Sequence, residues 1–195
     1  MSTPQPSNTV RVFVAVAVSS ELEKECARLI RKLQEVPAPV KWVRPEGIHI
    51  TLKFLGNVPQ AQLPQIKQAI RRAVEGQRAF SITSEGLGGF PDLKRPRVIW
   101  IGLQEKTLAP LKRLQQRVEA ELARLGFEPE NRPFQPHLTL GRVRAPRNIE
   151  WVVHTLEKHP PPPISFPVKE VVLMRSELRR EGARYTPLER FALAD

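Results

Sequence analysis

The sequence predicts an α+β fold made of two similar lobes on either side of a central cleft. The tetrapeptide His-Ile-Thr-Leu at residues 49–52 returns as His-Leu-Thr-Leu at residues 137–140, an offset of 88 residues (137 − 49). We call these the first and second His-Thr motif. Each stands in the same predicted order of strand, helix, motif strand, helix and strand. We therefore expect a bilobal protein with two pseudo-symmetric β-α-β-α-β lobes, antiparallel sheets lining the cleft and helices outside.

The first half of the chain alternates between β-branched runs and amphipathic helical patterns. Strands are predicted over residues 10–18, 40–43, 48–55 and 79–85. Ser20 and Glu23 form a capping box that predicts the start of a helix ending before Pro37. A second helix is expected over residues 61–75, and the glycines and prolines of residues 86–96 predict a loop.

The second half repeats this order. Strands are predicted over residues 97–103, 136–143, 164–178 and 183–193. Thr107 and Asn148 are expected to cap two further helices, because short polar side chains accept hydrogen bonds from the free N–H groups of a first helical turn.

The composition indicates one domain of an ordinary globular protein. At 195 residues, we expect a single domain over 10–195, preceded by a flexible tail over 1–9. No apolar run approaches the roughly 20 residues of a membrane span. The single cysteine, Cys26, suits a reducing cytoplasm, and its apolar helix face predicts a core residue rather than a nucleophile. The sequence predicts no helix with a long apolar surface of the kind that an obligate dimer buries, so we expect a monomer.

The charge of the chain favours a polyanionic partner. The formal net charge is +11 at pH 7, with a sequence pI near 10.5. Such a balance is typical of proteins that bind nucleic acid. The alternative is a basic surface that only serves solubility, since arginines are spread along helices as well as loops.

The two His-Thr motifs predict acid–base chemistry on a phosphate. In a strand, the His and Thr of each motif share one face, and the two apolar residues share the other. One copy is typical of a half-exposed strand, but two matching copies indicate half-sites that face each other. A pair of imidazoles can act as general base and general acid near neutral pH. Threonine hydroxyls can donate hydrogen bonds to anionic oxygens, so the set suits a phosphodiester held in line.

Two basic residues near the motifs leave alternatives open. Lys53 shares strand parity with His49, so it either adds charge near the site or is a solvated strand end. Arg142 has the opposite parity from His137, unless Gly141 permits a bulge or twist that redirects the chain.

A zinc hydrolase is the other chemical interpretation of the histidines. Zinc usually takes three or four protein ligands, and neither motif carries a cysteine or a carboxylate. We therefore expect no metal at the motifs. The two remaining histidines, His154 and His159, are expected at the surface or at the end of the last helix.

Further segments carry a resemblance to a known family. They are Arg-Val-Phe-Val-Ala at 11–15, Trp-Val-Arg-Pro-Glu-Gly before the first motif, Gly-Phe-Pro at 89–91, Arg-Val-Ile-Trp at 97–100, Phe-Gln-Pro before the second motif, Arg-Ser at 175–176 and Tyr-Thr-Pro-Leu at 185–188. Together with the motifs they resemble the two-histidine phosphoesterases. Within that group the chain resembles the bacterial and archaeal RNA 2′,3′-cyclic phosphodiesterases, also called 2′-5′ RNA ligases.

The resemblance implies hydrolysis of a terminal 2′,3′-cyclic phosphate on RNA, including tRNA-like fragments, to a 2′-phosphomonoester, with no metal or other cofactor. It also implies a minor, reversible 2′-5′ ligation. The roles that it implies are His49 as proton donor, His137 as proton acceptor, and Thr51, Thr139, Phe54 and Arg142 as substrate-binding residues. Near two-fold symmetry leaves the reverse assignment of the two histidines chemically open. The alternatives are a non-catalytic module that binds RNA ends and a phosphodiesterase for a small cyclic phosphate.

Overall fold

The computed structural model describes residues 8–180 and 182–195 and confirms the α+β fold with two antiparallel sheets. The strands in chain order are β1 (Thr9–Ala17), β2 (Val40–Trp42), β3 (His49–Pro59), β4 (Phe80–Phe90), β5 (Val98–Leu103), β6 (Leu138–Val143), β7 (Ile164–Val168), β8 (Glu170–Arg179) and β9 (Gly182–Ala192). Sheet A has the order β3-β1-β8-β9, and sheet B has the order β2-β6-β5-β4-β7.

Four helices cover the sheets. They are α1 (Ser20–Gln34), α2 (Leu63–Val74), α3 (Ala109–Ala123) and α4 (Ile149–Lys158). The α2 and α3 helices pack on each other and contact β9 and β3 of sheet A, whereas α1 contacts α4 and β7 of sheet B. Their apolar faces are buried in one continuous core with the strands. None of the helices in the described ranges is long and apolar enough to cross a membrane.

Each sheet draws strands from both halves of the chain. The last strand of the first half, β4, pairs with β5 and β7 in sheet B. In sheet A, β8 pairs with β1, and β9 pairs with β8 at the edge. The exchange keeps the pseudo-symmetry, because β5 lies between β6 and β4 as β1 lies between β3 and β8. Both central strands thus have hydrogen-bonding partners on both edges. The lobes are therefore interleaved rather than consecutive in sequence.

Three strands differ from the sequence-based expectation by more than two residues. The β3 strand runs through Gly56 to Pro59 instead of ending at residue 55. The β4 strand continues through Gly86 to Phe90, into the segment predicted as a loop. Gly86 has φ +77° at a register shift, so it forms a bulge rather than ending the strand. The single strand predicted over 164–178 is two, β7 and β8, with Lys169 between them.

The helix caps also differ in detail. The cap of α1 is Ser19 rather than Ser20, since the Leu22 N–H donates to Ser19 Oγ at 3.3 Å. Thr107 lies in a short 3₁₀ turn before α3, where its hydroxyl donates to the Gln104 carbonyl at 2.8 Å. Asn148 does precede α4, but its side chain donates to the carbonyl of Pro37 at 2.8 Å.

The predicted tail over 1–9 lies mostly outside the described residues, which begin at Asn8. Its last residue, Thr9, is the first residue of β1 and pairs with Pro59 of β3. The Asn8 carbonyl accepts a hydrogen bond from the Gln60 N–H at 2.9 Å.

Candidate active site

A cleft of about 660 Å³ contains both His-Thr motifs. The first motif lies on β3 of sheet A and the second at the start of β6 of sheet B, and these two strands approach each other where the sheets meet. The cleft is lined by His49, Thr51, His137 and Thr139. Their apolar neighbours Ile50, Leu52, Leu138 and Leu140 are buried in the core. Strand alternation therefore brings the four polar motif side chains together.

Both imidazoles are oriented by the same local hydrogen bond. His49 Nδ1 lies 2.6 Å from the carbonyl oxygen of Gly47, and His137 Nδ1 lies 2.7 Å from that of Gln135. A carbonyl oxygen can only accept, so each Nδ1 carries the proton in the neutral ring. Nε2 is then the nitrogen available to a substrate. At His49 it lies 3.0 Å from the Thr51 hydroxyl, which donates to it.

Aromatic rings pack against both histidines. The His49 ring centroid lies 4.7 Å from that of Phe13 and 5.1 Å from that of Tyr185, which meets it edge-on. His137 packs edge-on against Phe90 at 4.8 Å. This packing limits rotation of the rings and removes water from their faces.

Two glycines make room for aromatic side chains beside the histidines. A Cβ at Gly47 would lie 3.0 Å from Cδ2 of Tyr185, and a Cβ at Gly88 would lie 2.1 Å from the Trp100 indole. The indole in turn lies 6.0 Å from the His137 ring, measured between centroids.

Burial lowers the pKa of both histidines. Desolvation is the largest cause for each, and the backbone hydrogen bond to Nδ1 partly opposes it. The positive charge of Arg142 lowers both pKa values further, and for His49 so does His137. The free cleft therefore favours neutral imidazoles. A bound phosphate would raise the pKa values again, because its negative charge favours the imidazolium.

A β-bulge in the first motif reverses the side-chain alternation of β3. Thr51 pairs with Ala15 of β1, but the next paired residue is Lys53, which leaves Leu52 as the extra residue. Phe54 consequently lies on the cleft side, where it lines the cavity with 62% of its surface exposed.

The second motif carries the corresponding bulge. Thr139 pairs with Trp100 of β5 and the next paired residue is Gly141, so Leu140 is the extra residue. Arg142 is thereby turned into the cleft, where it is exposed. The sequence analysis allowed for a bulge at Gly141, and the structure has one at the preceding residue. Phe54 and Arg142 are equivalent under the 88-residue offset (142 − 54).

Lys53 does not contribute to the cleft, and both expectations for it were wrong. It is 7% exposed, and its Nζ donates to Glu119 Oε2 of α3 and to the Glu128 carbonyl, each at 2.7 Å. The bulge at Leu52 is the physical reason, because it turns Lys53 toward the helices.

Further cleft residues carry positive charge or an aromatic ring. Among the described lining residues are Arg11, Lys41, Arg44, Arg179 and Tyr185, and none of the described ones is acidic. Burial raises the pKa of Tyr185, and the charges of Arg142 and Arg11 oppose this shift. Sequence patterns did not single these residues out. Tyr185 offered two signals, as the one tyrosine of the chain and as the first residue of the resembling segment 185–188, but neither assigned it to the cleft.

The remaining candidates lie away from the cleft. Burial raises the pKa of the Cys26 thiol to about 12, so the thiol, which lies on the buried face of α1, is unreactive. His154 and His159 are exposed on α4 and just after it. No group of three or more His, Cys, Asp or Glu able to bind a metal occurs within residues 8–180 and 182–195.

Comparisons with known proteins converge on one family. The family model described as 2′-5′ RNA ligase superfamily matches residues 42–180. A Methanothermobacter thermautotrophicus protein named RNA 2′,3′-cyclic phosphodiesterase is 37% identical over 186 residues, covering 94% of this chain and 99% of that protein. A crystal structure of a Thermus thermophilus protein superposes with TM-score 0.75 at 30% identity, covering 94% of this chain and 97% of that one. The crystal structure of E. coli LigT complexed with 3′-AMP superposes with TM-score 0.73 at 28% identity, covering 96% and 99%.

The Lys53–Glu119 pair predicts a stability effect without an effect on the histidines. We expect Lys53→Met to lower the free energy of unfolding by about 3 kcal/mol, because a largely buried carboxylate loses its cation. The double variant Lys53→Met/Glu119→Leu should recover most of that loss. Urea denaturation measures both. NMR titration should show unchanged pKa values for His49 and His137; a raised pKa with unchanged stability would instead place Lys53 in the cleft.

The Tyr185 ring predicts a change in the pKa of His49. Burial lowers the pKa of His49 in the wild type. We expect Tyr185→Ala to raise this pKa toward its usual value, because loss of the ring lets water reach the imidazole. Tyr185→Phe keeps the ring and is the matched control, with the pKa still lowered. An NMR titration of the His49 ring measures both variants. Equal pKa values in wild type and Tyr185→Ala would show that Tyr185 does not exclude water from His49.

Proposed function

The chain belongs to the 2′-5′ RNA ligase superfamily, and we propose how its paired motifs hydrolyse a 2′,3′-cyclic phosphate at the end of an RNA. The activity is that of an RNA 2′,3′-cyclic phosphodiesterase, a hydrolase, as in the curated relatives of that name. The observation that carries the mechanism is the pair of imidazoles in one cleft, each with Nδ1 bonded to a backbone carbonyl, which leaves Nε2 as the nitrogen that faces the cleft residues. The alternative of a non-catalytic RNA-end binding module is therefore set aside.

The substrate phosphate binds between the two motifs. The hydroxyls of Thr51 and Thr139 donate to its non-bridging oxygens, and the Arg142 guanidinium neutralises the charge that develops as water attacks. That the charge of Arg142 lowers the pKa of both histidines supports its place near the reacting group. Phe54 packs against the terminal nucleoside, because its exposed ring offers any base a stacking surface.

Hydrolysis proceeds by one in-line displacement. Nε2 of His137 removes a proton from a water molecule, whose oxygen attacks the phosphorus. The bond from phosphorus to the 3′ oxygen breaks, and Nε2–H of His49 gives its proton to that oxygen. The products are a 2′-phosphomonoester and a free 3′-hydroxyl. Proton exchange with solvent then restores one neutral and one protonated imidazole. Replacing water by the 5′-hydroxyl of a second RNA gives a 2′-5′ linkage, a minor ligation by the same steps.

Two features support His49 as the acid and His137 as the base. His49 shares β3 and its cleft face with Phe54, so a nucleoside on that ring brings its 3′ oxygen toward His49. His137 is the less deeply buried of the two, which suits a base that takes its proton from water.

The same reasoning gives the RNA partner, the oligomeric state and the cellular compartment of the enzyme. The RNA substrates are strands with 2′,3′-cyclic phosphate ends, including tRNA-like fragments, and the enzyme works as a monomer in the cytoplasm. The net charge of +11 supports an RNA partner, and the single buried cysteine suits a reducing compartment. The mechanism assigns every proton transfer to the histidines. The described lining residues offer a metal two imidazoles and neither a carboxylate nor a thiol.

Removal of either imidazole tests the roles. With a short RNA ending in a 2′,3′-cyclic phosphate, in excess EDTA, we expect His49→Ala and His137→Ala to lower kcat by at least about 10³-fold each, because a proton transfer is lost. Chromatography of the product terminus should show a 2′-phosphate for wild type only. Unchanged thermal melting is the control for folding. Full turnover by either variant would overturn the mechanism, and loss of wild-type turnover in EDTA would indicate a metal.

A leaving-group substitution separates the acid from the base. A substrate with sulfur in place of the bridging 3′ oxygen has a leaving group that needs little protonation, since thiols have a pKa near 8.5. We expect this substrate to restore turnover in His49→Ala and not in His137→Ala. Restoration in His137→Ala alone would reverse the assignment.

The lowered histidine pKa values predict an acidic optimum for kcat/KM. One imidazole must be protonated and one neutral in the free enzyme, so kcat/KM should peak below about pH 6.5 and fall about tenfold per pH unit well above that optimum. The kcat profile should lie at higher pH, because the bound phosphate raises the pKa of the acid. An optimum for kcat/KM above pH 7 would contradict the assignment of these two groups.

A further inference from the structure

Apolar surface extends beyond the reacting centre of the cleft. The exposed large apolar side chains of the described residues are Phe54, Trp151 and Leu178, and two of these three line the cleft. Leu178 is 74% exposed near the end of the β8–β9 hairpin, a place where solvent-facing strand residues are normally polar. The proposed hydrolysis uses Phe54 and assigns no role to Leu178.

The hairpin end reaches across the cleft. Pairing between β8 and β1 stops at Val12 and Arg175, although β1 begins at Thr9, so the end of the hairpin diverges from β1. At the turn of the hairpin, a Cβ at Gly182 would lie 3.9 Å from Cε of Lys41, which is on β2 of sheet B. The hairpin end and β2 thus bound one end of the cleft from opposite sheets.

The positive charge at this end exceeds what one phosphate needs. A terminal cyclic phosphate is a diester with a single negative charge, and Arg142 lies at the reacting centre. Lys41 pairs directly with Arg142 across β2 and β6, and both side chains line the cleft. Like charges directly opposite in a sheet destabilise it unless an anion lies between them. Within the described residues, neither cation forms an ion pair with a carboxylate.

Arg44 adds a third charge to the same surface. It lines the cleft, is exposed, and forms no ion pair with a described carboxylate. Arg179 of the hairpin also lines the cleft but is 3.4 Å from a carboxylate oxygen of Glu177, so its charge is partly neutralised.

Arg11 also lines the cleft without a described carboxylate partner, but its charge acts on Tyr185, which packs against His49 at the reacting centre. Lys41 and Arg44 are therefore the cations left for a second phosphate at the end of the cleft beside β2.

We propose that Lys41, Arg44 and Leu178 form a second nucleotide subsite, which binds the penultimate nucleotide of the RNA. Lys41 and Arg44 bind the internucleotide phosphate, and Leu178 packs against the penultimate base. The subsite rests on the proposed function, because it extends the RNA strand whose end is hydrolysed. It makes the enzyme selective for oligonucleotide ends over small cyclic phosphates.

Three substrates of increasing size test the subsite. They are adenosine 2′,3′-cyclic phosphate, the same compound with a 5′-phosphate, and a dinucleotide with a 5′-hydroxyl and a 2′,3′-cyclic phosphate end. We expect kcat/KM of the wild type to rise about tenfold when the 5′-phosphate is added, the size of one charge-assisted hydrogen bond. The value of kcat/KM should rise again for the dinucleotide. A trinucleotide, as a fourth substrate, should have nearly the same kcat/KM as the dinucleotide. Equal kcat/KM for all substrates would overturn the subsite and leave the hydrolase intact. Turnover of none of them would instead overturn the proposed function.

Single substitutions separate the two parts of the subsite. Lys41→Gln and Arg44→Gln should each remove most of the gain from the 5′-phosphate, and Leu178→Ser should remove the gain from the second base. The readout is the ratio of kcat/KM values between substrates. An equal loss on all three substrates would place these residues at the reacting centre and overturn the subsite.

Two residues of α4 provide matched controls. Trp151→Ser removes the third exposed apolar side chain, and Lys158→Gln removes an exposed charge, both outside the cleft. Neither should change any of the kcat/KM ratios. A change as large as that in Leu178→Ser or Lys41→Gln would show that the ratios report only general surface apolarity or charge, which would overturn the subsite.

Discussion

The active site depends on one extra residue in each motif strand. A strand places alternate side chains on opposite faces, and an unbroken β3 or β6 would turn the side chain three positions after each threonine into the core. The extra residues Leu52 and Leu140 reverse that alternation without breaking the sheets. Each half thereby presents a histidine, a threonine and a third side chain to one cleft. The third side chain is aromatic in one half and cationic in the other. In the proposed mechanism, this difference between otherwise matching strands lets one half bind the nucleoside and the other the phosphate.

In the proposed mechanism, the surroundings of the two histidines prepare them for proton transfer. A carbonyl two residues upstream keeps the proton on Nδ1 and leaves Nε2 for the substrate, so no distant carboxylate is needed to orient either ring. Aromatic packing excludes water and lowers both pKa values. Both imidazoles can be held neutral until an anion enters, because the substrate phosphate itself supplies the charge that stabilises an imidazolium. Binding and protonation are thus coupled by electrostatics within the cleft.

Because the two halves exchange strands, residues from both ends of the chain line the cleft. β1 and the first motif come from the beginning of the sequence, whereas the hairpin that completes sheet A comes from its end. That hairpin carries Tyr185 against His49 and Leu178 at the far end of the cleft. The end of the hairpin diverges from β1 and lies beside β2 of the other sheet. The reacting centre and the adjoining basic surface are consequently parts of one continuous cavity.

The sequence by itself determined the α+β class, the repeated order of elements and the shared face of each His-Thr pair, because these follow from local periodicity. Resemblance to a family added Phe54 and Arg142. Strict alternation assigned Lys53 to the wrong face, since a bulge depends on pairing with a neighbouring strand and leaves no periodic signal. Tyr185 and Lys41 likewise became part of the site only through long-range packing. Local patterns therefore placed each His-Thr pair on one strand face, and the tertiary structure decided which other side chains surround them, because partners distant in sequence meet only when the sheets assemble.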